Sequence, residues 1–255
     1  MSDFYVGYLQ KAPAELARFV RRAVAALGLL AVVLAFGLVL AQMPFSNSTF
    51  EYGSVRKLEG TILTRPYPTL LVARQGAADQ QAYSEYLLVA PGKHGAHELV
   101  AGLDHKHVRL QGQLIYRDGR TMVEVVPASL AATNLAPIIE DSTRDSGPVT
   151  LTGEIVDSKC YLGVMNPGSG KVHRDCAARC LSGGTPPIFA TTDGDQLLLI
   201  GFDGHALTHD VLREFIAEPV SIRGELLQRA DTKFLKIDLG ELRHTPDKIQ
   251  AVLRQ

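Results

Sequence analysis

Residues 23–43 (AVAALGLLAVVLAFGLVLAQM) run for 21 positions without a charge, whereas from residue 58 onward the apolar positions fall into short runs and alternations. The first pattern suits a membrane-crossing helix, which needs about 20 residues at roughly 1.5 Å each. The second is the pattern of half-buried strands. It predicts strands over residues 58–63, 69–73, 86–90, 108–114 and 122–125, and again over 151–156, 188–191, 196–201, 220–226 and 234–237. The two sets align. LEGTIL (58–63) matches LTGEIV (151–156) at an offset of 93, and VRLQGQL (108–114) matches VSIRGEL (220–226) at an offset of 112. The offset of 112 also pairs MVEV (122–125) with FLKI (234–237). Between the third and fourth strands of each set lies a helical pattern, over residues 96–103 and 208–216, the latter with Thr208 as N-cap.

Three strands, a helix and two strands, twice over, is the order of the five-stranded OB-type barrel, whose helix plugs one end. Gly112 and Gly224 fit the mid-strand kinks that let a small barrel close. The expected fold is therefore mainly β, with one N-terminal transmembrane helix and two tandem OB-type barrels, each carrying one short helix. The expected boundaries are a cytoplasmic segment 1–22, an anchor 23–43, a stalk 44–56 and a first barrel 57–128. A linker 129–148, a second barrel 149–243 and a C-terminal helix or tail 244–255 complete the chain.

A cleaved signal peptide is the alternative for the apolar run. Against it stand the length of the run, the 22 residues before it and the poor A-x-A site at residues 41–43. Lys11, Arg18, Arg21 and Arg22 precede the run and the next basic residue is Arg56, so the positive-inside bias places the N-terminus in the cytoplasm and the barrels outside. Membrane lipid is thus the first expected partner. Lys and Arg total 26 against 27 Asp and Glu, without a charged block, which argues against nucleic acid as a partner.

The rise in offset from 93 to 112 means a net gain of 19 residues in the second set, placed mainly between its first two strands. That insertion holds all three cysteines of the chain, Cys160, Cys176 and Cys180, with His173 three residues before Cys176. Residues 174–181 read as a short helix followed by Gly183, with Cys176 and Cys180 on one face. Three readings stay open. A disulfide from Cys160 to one helix cysteine would staple the loop, worth about 3 kcal/mol in the chain-entropy model. Cys160, His173, Cys176 and Cys180 would make a Cys₃His set for zinc, and with Met165 a softer set for copper. A redox-active thiol pair is the third reading, weakened by the lack of a C-x-x-C motif.

The remaining chemistry is thinner. His94, His97, His105 and His107 fall within 14 residues, a haem or metal candidate set or else exposed loop histidines. His205 and His209 bracket the start of the second helical pattern, and His97 aligns with His209 under the offset of 112, which points to shared ancestry of the two sets; His244 has no evident partner. Asp157, Lys171 and Asp175 read as solvated loop charges. No G-x-S-x-G, phosphate-binding glycine loop or H-E-x-x-H occurs.

The runs DSKC (157–160), HRDCAARC (173–180) and the following GG resemble a group of small exported bacterial proteins with an OB-like domain and a D-x-x-C…H-x-x-C-A-x-x-C…G pattern. The likeness covers residues 149 to about 240. It implies an exported OB-like domain in a bacterium, hence the periplasmic side of the inner membrane, and implies no reaction. The resulting expectation is a non-catalytic binding or accessory protein with a protein partner in the membrane or periplasm, such as a subunit or assembly factor of a membrane redox complex. The alternative is a metal- or haem-handling protein working through the cysteine loop.

Overall fold

The computed structural model describes residues 12–41, 47–74, 83–138 and 143–245. The chain divides into a unit holding one long helix and a β unit holding everything after it. The helix α1 (Ala14–Ala41) is 28 residues long, has no buried residue, and is long and apolar enough to cross a membrane. Its charged residues, Glu15, Arg18, Arg21 and Arg22, all lie in the first turns. The expected C-terminal helix, beyond residue 245, and the first half of the cytoplasmic segment, residues 1–11, lie outside the described residues.

The β unit contains β1 (Thr49–Leu63), β2 (Thr69–Ala73), β3 (Tyr83–Ala90), β4 (His94–Gly95), β5 (His107–Arg117), β6 (Arg120–Val125) and β7 (Ala131–Ala132). Then follow β8 (Thr143–Asp157), α2 (Arg174–Ser182), β9 (Pro187–Thr191), β10 (Gln196–Gly201), α3 (His209–Leu212), β11 (Pro219–Arg229) and β12 (Thr232–His244). Strands β8 to β12 form a closed five-stranded barrel in the order β10-β12-β11-β8-β9. Strands β1 to β7 form a sheet in the order β1-β2-β3-β6-β5-β7, with β4 on β3 and a further pairing of β1 with β5. The pairings among β1, β2, β3, β5 and β6 correspond to those among β8, β9, β10, β11 and β12. β3 runs parallel to β6 as β10 does to β12, and the other pairings within the two sets are antiparallel.

Glycine keeps the matched strands close. A Cβ on Gly60 would run into the Leu71 carbonyl, and one on its counterpart Gly153 into the Ala190 carbonyl. A Cβ on Gly112 would meet the Val123 side chain and the Glu124 carbonyl, and one on its counterpart Gly224 the Lys236 carbonyl. Gly153→Ala is accordingly expected to cost about 1–3 kcal/mol, as overpacking does, read from the denaturant midpoint of the full chain; an unchanged midpoint would contradict the close approach.

The structure departs from the sequence pattern in two places. Residues 96–103 make hydrogen-bonded turns (Val100 N–H to Ala96 O at 3.1 Å, Leu103 N–H to Val100 O at 3.0 Å), correcting the expected helix. Gly102 takes a positive φ of 74°, which stops a helix in so short a segment. The plugging role survives through Ala96 and Val100, which pack into the core of the first sheet. The second helical pattern is likewise shorter, four residues of α3, with Leu212 and Ile216 in the barrel core. The strands β1 and β8 also begin earlier than their apolar patterns. Thr49 and Phe50 pair with Tyr116 and Ile115, and Thr143 and Arg144 with Arg229 and Gln228. These leading halves are mostly exposed, so no alternation marks them.

Three apolar clusters organise the β unit. One fills the barrel and one fills the first sheet. The third joins them, placing Tyr67, Leu87, Val89, Ile115 and Met122 against Val156, Leu162, Ile188, Leu198 and Phe234. Polar bonds cross the same junction. The Tyr67 hydroxyl donates to Leu199 O at 2.6 Å and accepts from Leu207 N–H at 3.0 Å, and burial pushes its pKa up. Arg229 pairs with Glu85, and Arg74 with Asp231 at 2.7 Å. The two halves therefore form one packed body, and the cysteine insertion is built onto their junction.

Candidate metal centre

Register fixes the size of the insertion. Thr61 pairs with Leu71, while its counterpart Glu154 pairs with Ala190, so the offset grows from 93 to 119 across this loop, a gain of 26 residues. Eight residues are returned in the next turn, where Leu198 takes the place of Leu87, and one is gained before the following strand, which gives the net value of 19. The extra chain leaves β8 at Asp157, turns tightly over Cys160–Val164, and returns through α2.

Asp157 organises this departure. Its side chain is fully buried, one carboxylate oxygen accepts the Cys160 N–H at 2.8 Å, and the other lies 3.0 Å from His173 Nε2. This corrects its expected place as a solvated loop charge: a carboxylate at the end of a core strand is buried because two donors satisfy it. Asp175 stays exposed, and Lys171 lies 3.5 Å from Glu218. Lys159 is 3% exposed and equally well satisfied, with Nζ 2.8 Å from Ala90 O, 2.6 Å from Gly92 O and 2.5 Å from Glu124. All three acceptors belong to the first strand set, Ala90 at the end of β3, Gly92 in the turn after it and Glu124 on β6, so this lysine pins the insertion there.

Helix α2 presents Cys176 and Cys180 one turn apart, toward Cys160. The helix closes with Gly183, where a Cβ would collide with Lys93 O, and Gly95 N–H bonds to Gly183 O at 2.8 Å. Gly184 supplies the positive φ of 87° that ends the helix. These contacts bring Lys93, from the other half of the molecule, over the cysteines. Its Nζ lies 2.7 Å from Cys176 Sγ and 3.7 Å from Cys180 Sγ.

The three thiols are free. Cys160 Sγ lies 3.8 Å from Cys176 Sγ and 3.9 Å from Cys180 Sγ, and all three sulfurs are within 4.8 Å of one another. A disulfide would need about 2.05 Å. Three sulfurs at about 2.3 Å from one tetrahedral ion would sit about 3.8 Å apart, which is the separation found for the two pairs that include Cys160. Cys160 and Cys180 are buried and Cys176 is part-exposed. Electrostatics divides the thiols. The hydrogen bond shared with Cys180, then burial, pushes the Cys160 thiol up, while that same bond pulls Cys180 down despite its burial. The Cys176 sulfur holds the Lys93 ammonium above its ordinary value.

His173 falls in an adjoining triplet with Asp157 and Cys160 and does not join the three sulfurs. Met165, the soft-ligand candidate, is 44% exposed. The four histidines of the first half are dispersed: His94 is exposed on β4, and His105 is exposed beside Asp104. Partial burial lowers the pKa of His97. His107 bonds Thr133 at 2.8 Å. Among the described residues none of them joins a metal-sized cluster. In the second half His209 meets Asp210 at 3.1 Å and His244 stacks on Phe215 at 4.8 Å.

Sequence reasoning missed Lys93, Lys159 and Glu124. Only the glycines of residues 183–184 signalled a close approach there, and nothing in them named the opposing chain. Compared with known proteins, the chain matches no family model, no curated protein and no solved structure.

Proposed function

We propose that this is a membrane-anchored metal-binding protein, in which Cys160, Cys176 and Cys180 hold one thiophilic ion, Zn²⁺ or Cu⁺, beside Lys93. The observation carrying this reading is the cluster of free sulfurs, with Cys160 Sγ 3.8 and 3.9 Å from the other two and all three within 4.8 Å, gathered from two separate elements. A strand end held by a buried carboxylate supplies one ligand and a capped helix supplies two, so the thiolates are placed before the ion arrives. The metal-handling alternative thus moves ahead of a loop that serves only as a staple.

The wider setting is the one the sequence implies. The two strand sets are duplicated OB-type barrels, a reading supported by their matching pairings and by glycines at matching positions. Helix α1 anchors them on the periplasmic side of a bacterial inner membrane, by the basic residues at its start. There the protein acts as a non-catalytic accessory to a membrane redox complex, to which the bound ion is relevant.

Elemental analysis tests this. Full chain purified in detergent under reducing conditions is expected to hold one zinc or copper ion, with three thiols that resist alkylation until a chelator is added. Absence of metal after reconstitution, with all three thiols freely alkylated, would overturn the reading.

A further inference from the structure

Three protein ligands leave a tetrahedral ion one vertex short. Among the described residues no fourth His, Cys, Asp or Glu atom lies within 4.8 Å of all three sulfurs. His173 is turned to Asp157, which its Nε2 meets at 3.0 Å. Cys160 and Cys180 are buried, so solvent reaches such an ion from the Cys176 side. On that side the Lys93 ammonium stands 2.7 Å from the sulfur. A divalent ion with three thiolates carries one net negative charge, and a fourth anionic ligand would make two. Lys93 offsets the added charge and can donate a hydrogen bond to the incoming ligand.

Resting on the metal reading above, we infer that the open vertex takes an exogenous thiolate, from a small thiol or from a cysteine of another protein, beside Lys93. A soft or borderline ion prefers sulfur at that place. In the step, the incoming thiol gives its proton to water, its sulfur bonds the ion, and the water bound at the vertex leaves; no electron changes hands. A four-thiolate intermediate of this kind lets the ion pass between the protein and a thiol-bearing carrier. The site is thus built for exchange, unlike a closed structural zinc site whose four ligands all come from the protein.

Co²⁺ loaded into the full chain in detergent reports the ligand set through its sulfur-to-metal and d–d absorption. Free cysteine serves as the probe for a small carrier, and a neutral peptide with one cysteine for a protein carrier. Either should shift the d–d bands saturably while Co²⁺ stays on the protein through gel filtration. In Lys93→Met, Co²⁺ should still bind, and the thiol affinity should fall about tenfold, the loss of one charge-assisted hydrogen bond. Bands that neither thiol moves, or an unchanged thiol affinity in Lys93→Met, would overturn the inference and leave the metal reading standing. Failure of Co²⁺ to bind at all would overturn the metal reading itself.

Discussion

Replacing Cys180 by serine is expected to lower metal affinity by more than about 100-fold, beyond the 10–100-fold typical of changes to groups that only orient ligands. Cys180 is 1% exposed and sits on a helix held by Gly183 and Gly184, so a serine of nearly the same size leaves the fold in place. What disappears is one of three thiolates, and a hydroxyl is a poor ligand for a soft ion. Competition against a chromogenic chelator measures the change, with circular dichroism confirming the β content. An affinity within threefold of the parent protein would mean that the ion, if bound, sits elsewhere. Asp157→Asn gives a useful contrast. It keeps the sulfurs but weakens the bonds that orient Cys160, so its effect should fall within the smaller range.

The second large effect lies at the junction of the two halves. Arg229→Met strands the Glu85 carboxylate, whose side chain is fully buried, without its guanidinium partner. Breaking a buried pair from one side costs about 3–5 kcal/mol, because the remaining charge stays desolvated. Arg229 also stacks over Phe234 at 5.1 Å, and methionine retains much of that apolar contact. The double replacement Arg229→Met with Glu85→Gln removes both charges and should recover much of the loss. Denaturant unfolding of the full chain followed by far-ultraviolet circular dichroism reads the difference, since the chain lacks tryptophan. A loss below about 1 kcal/mol for the single variant would place this pair among weak surface bridges. The same junction carries Lys93 over the cysteines, so loosening it should also lower the affinity of the loaded protein for an added thiol.

Much of the scaffold was legible because it repeats. Alternating strands and glycines at equal offsets exposed the two strand sets, and the change of offset exposed the insertion with its cysteines. The apolar run of α1 was equally plain, since 21 uncharged positions leave few alternatives. Other features carry no periodic signal. The leading halves of β1 and β8 are polar and exposed, so their pairing is settled by the backbone partner strand and not by burial. The helical spacing at residues 96–103 was real but too short to hold a helix against Gly102. At the site, the cysteines and His173 were visible, yet the sequence placed His173 beside the sulfurs whereas Asp157 turns it away. Lys93 lies 83 residues from Cys176, and only tertiary packing brings them together.

X-ray absorption at the zinc edge of the loaded full chain tests the central claim most directly. The account predicts three sulfur scatterers at about 2.3 Å and one lighter atom, the lighter atom giving way to a fourth sulfur when a thiol is added. A shell made of nitrogen and oxygen alone, with the cysteines still open to alkylation, would contradict it.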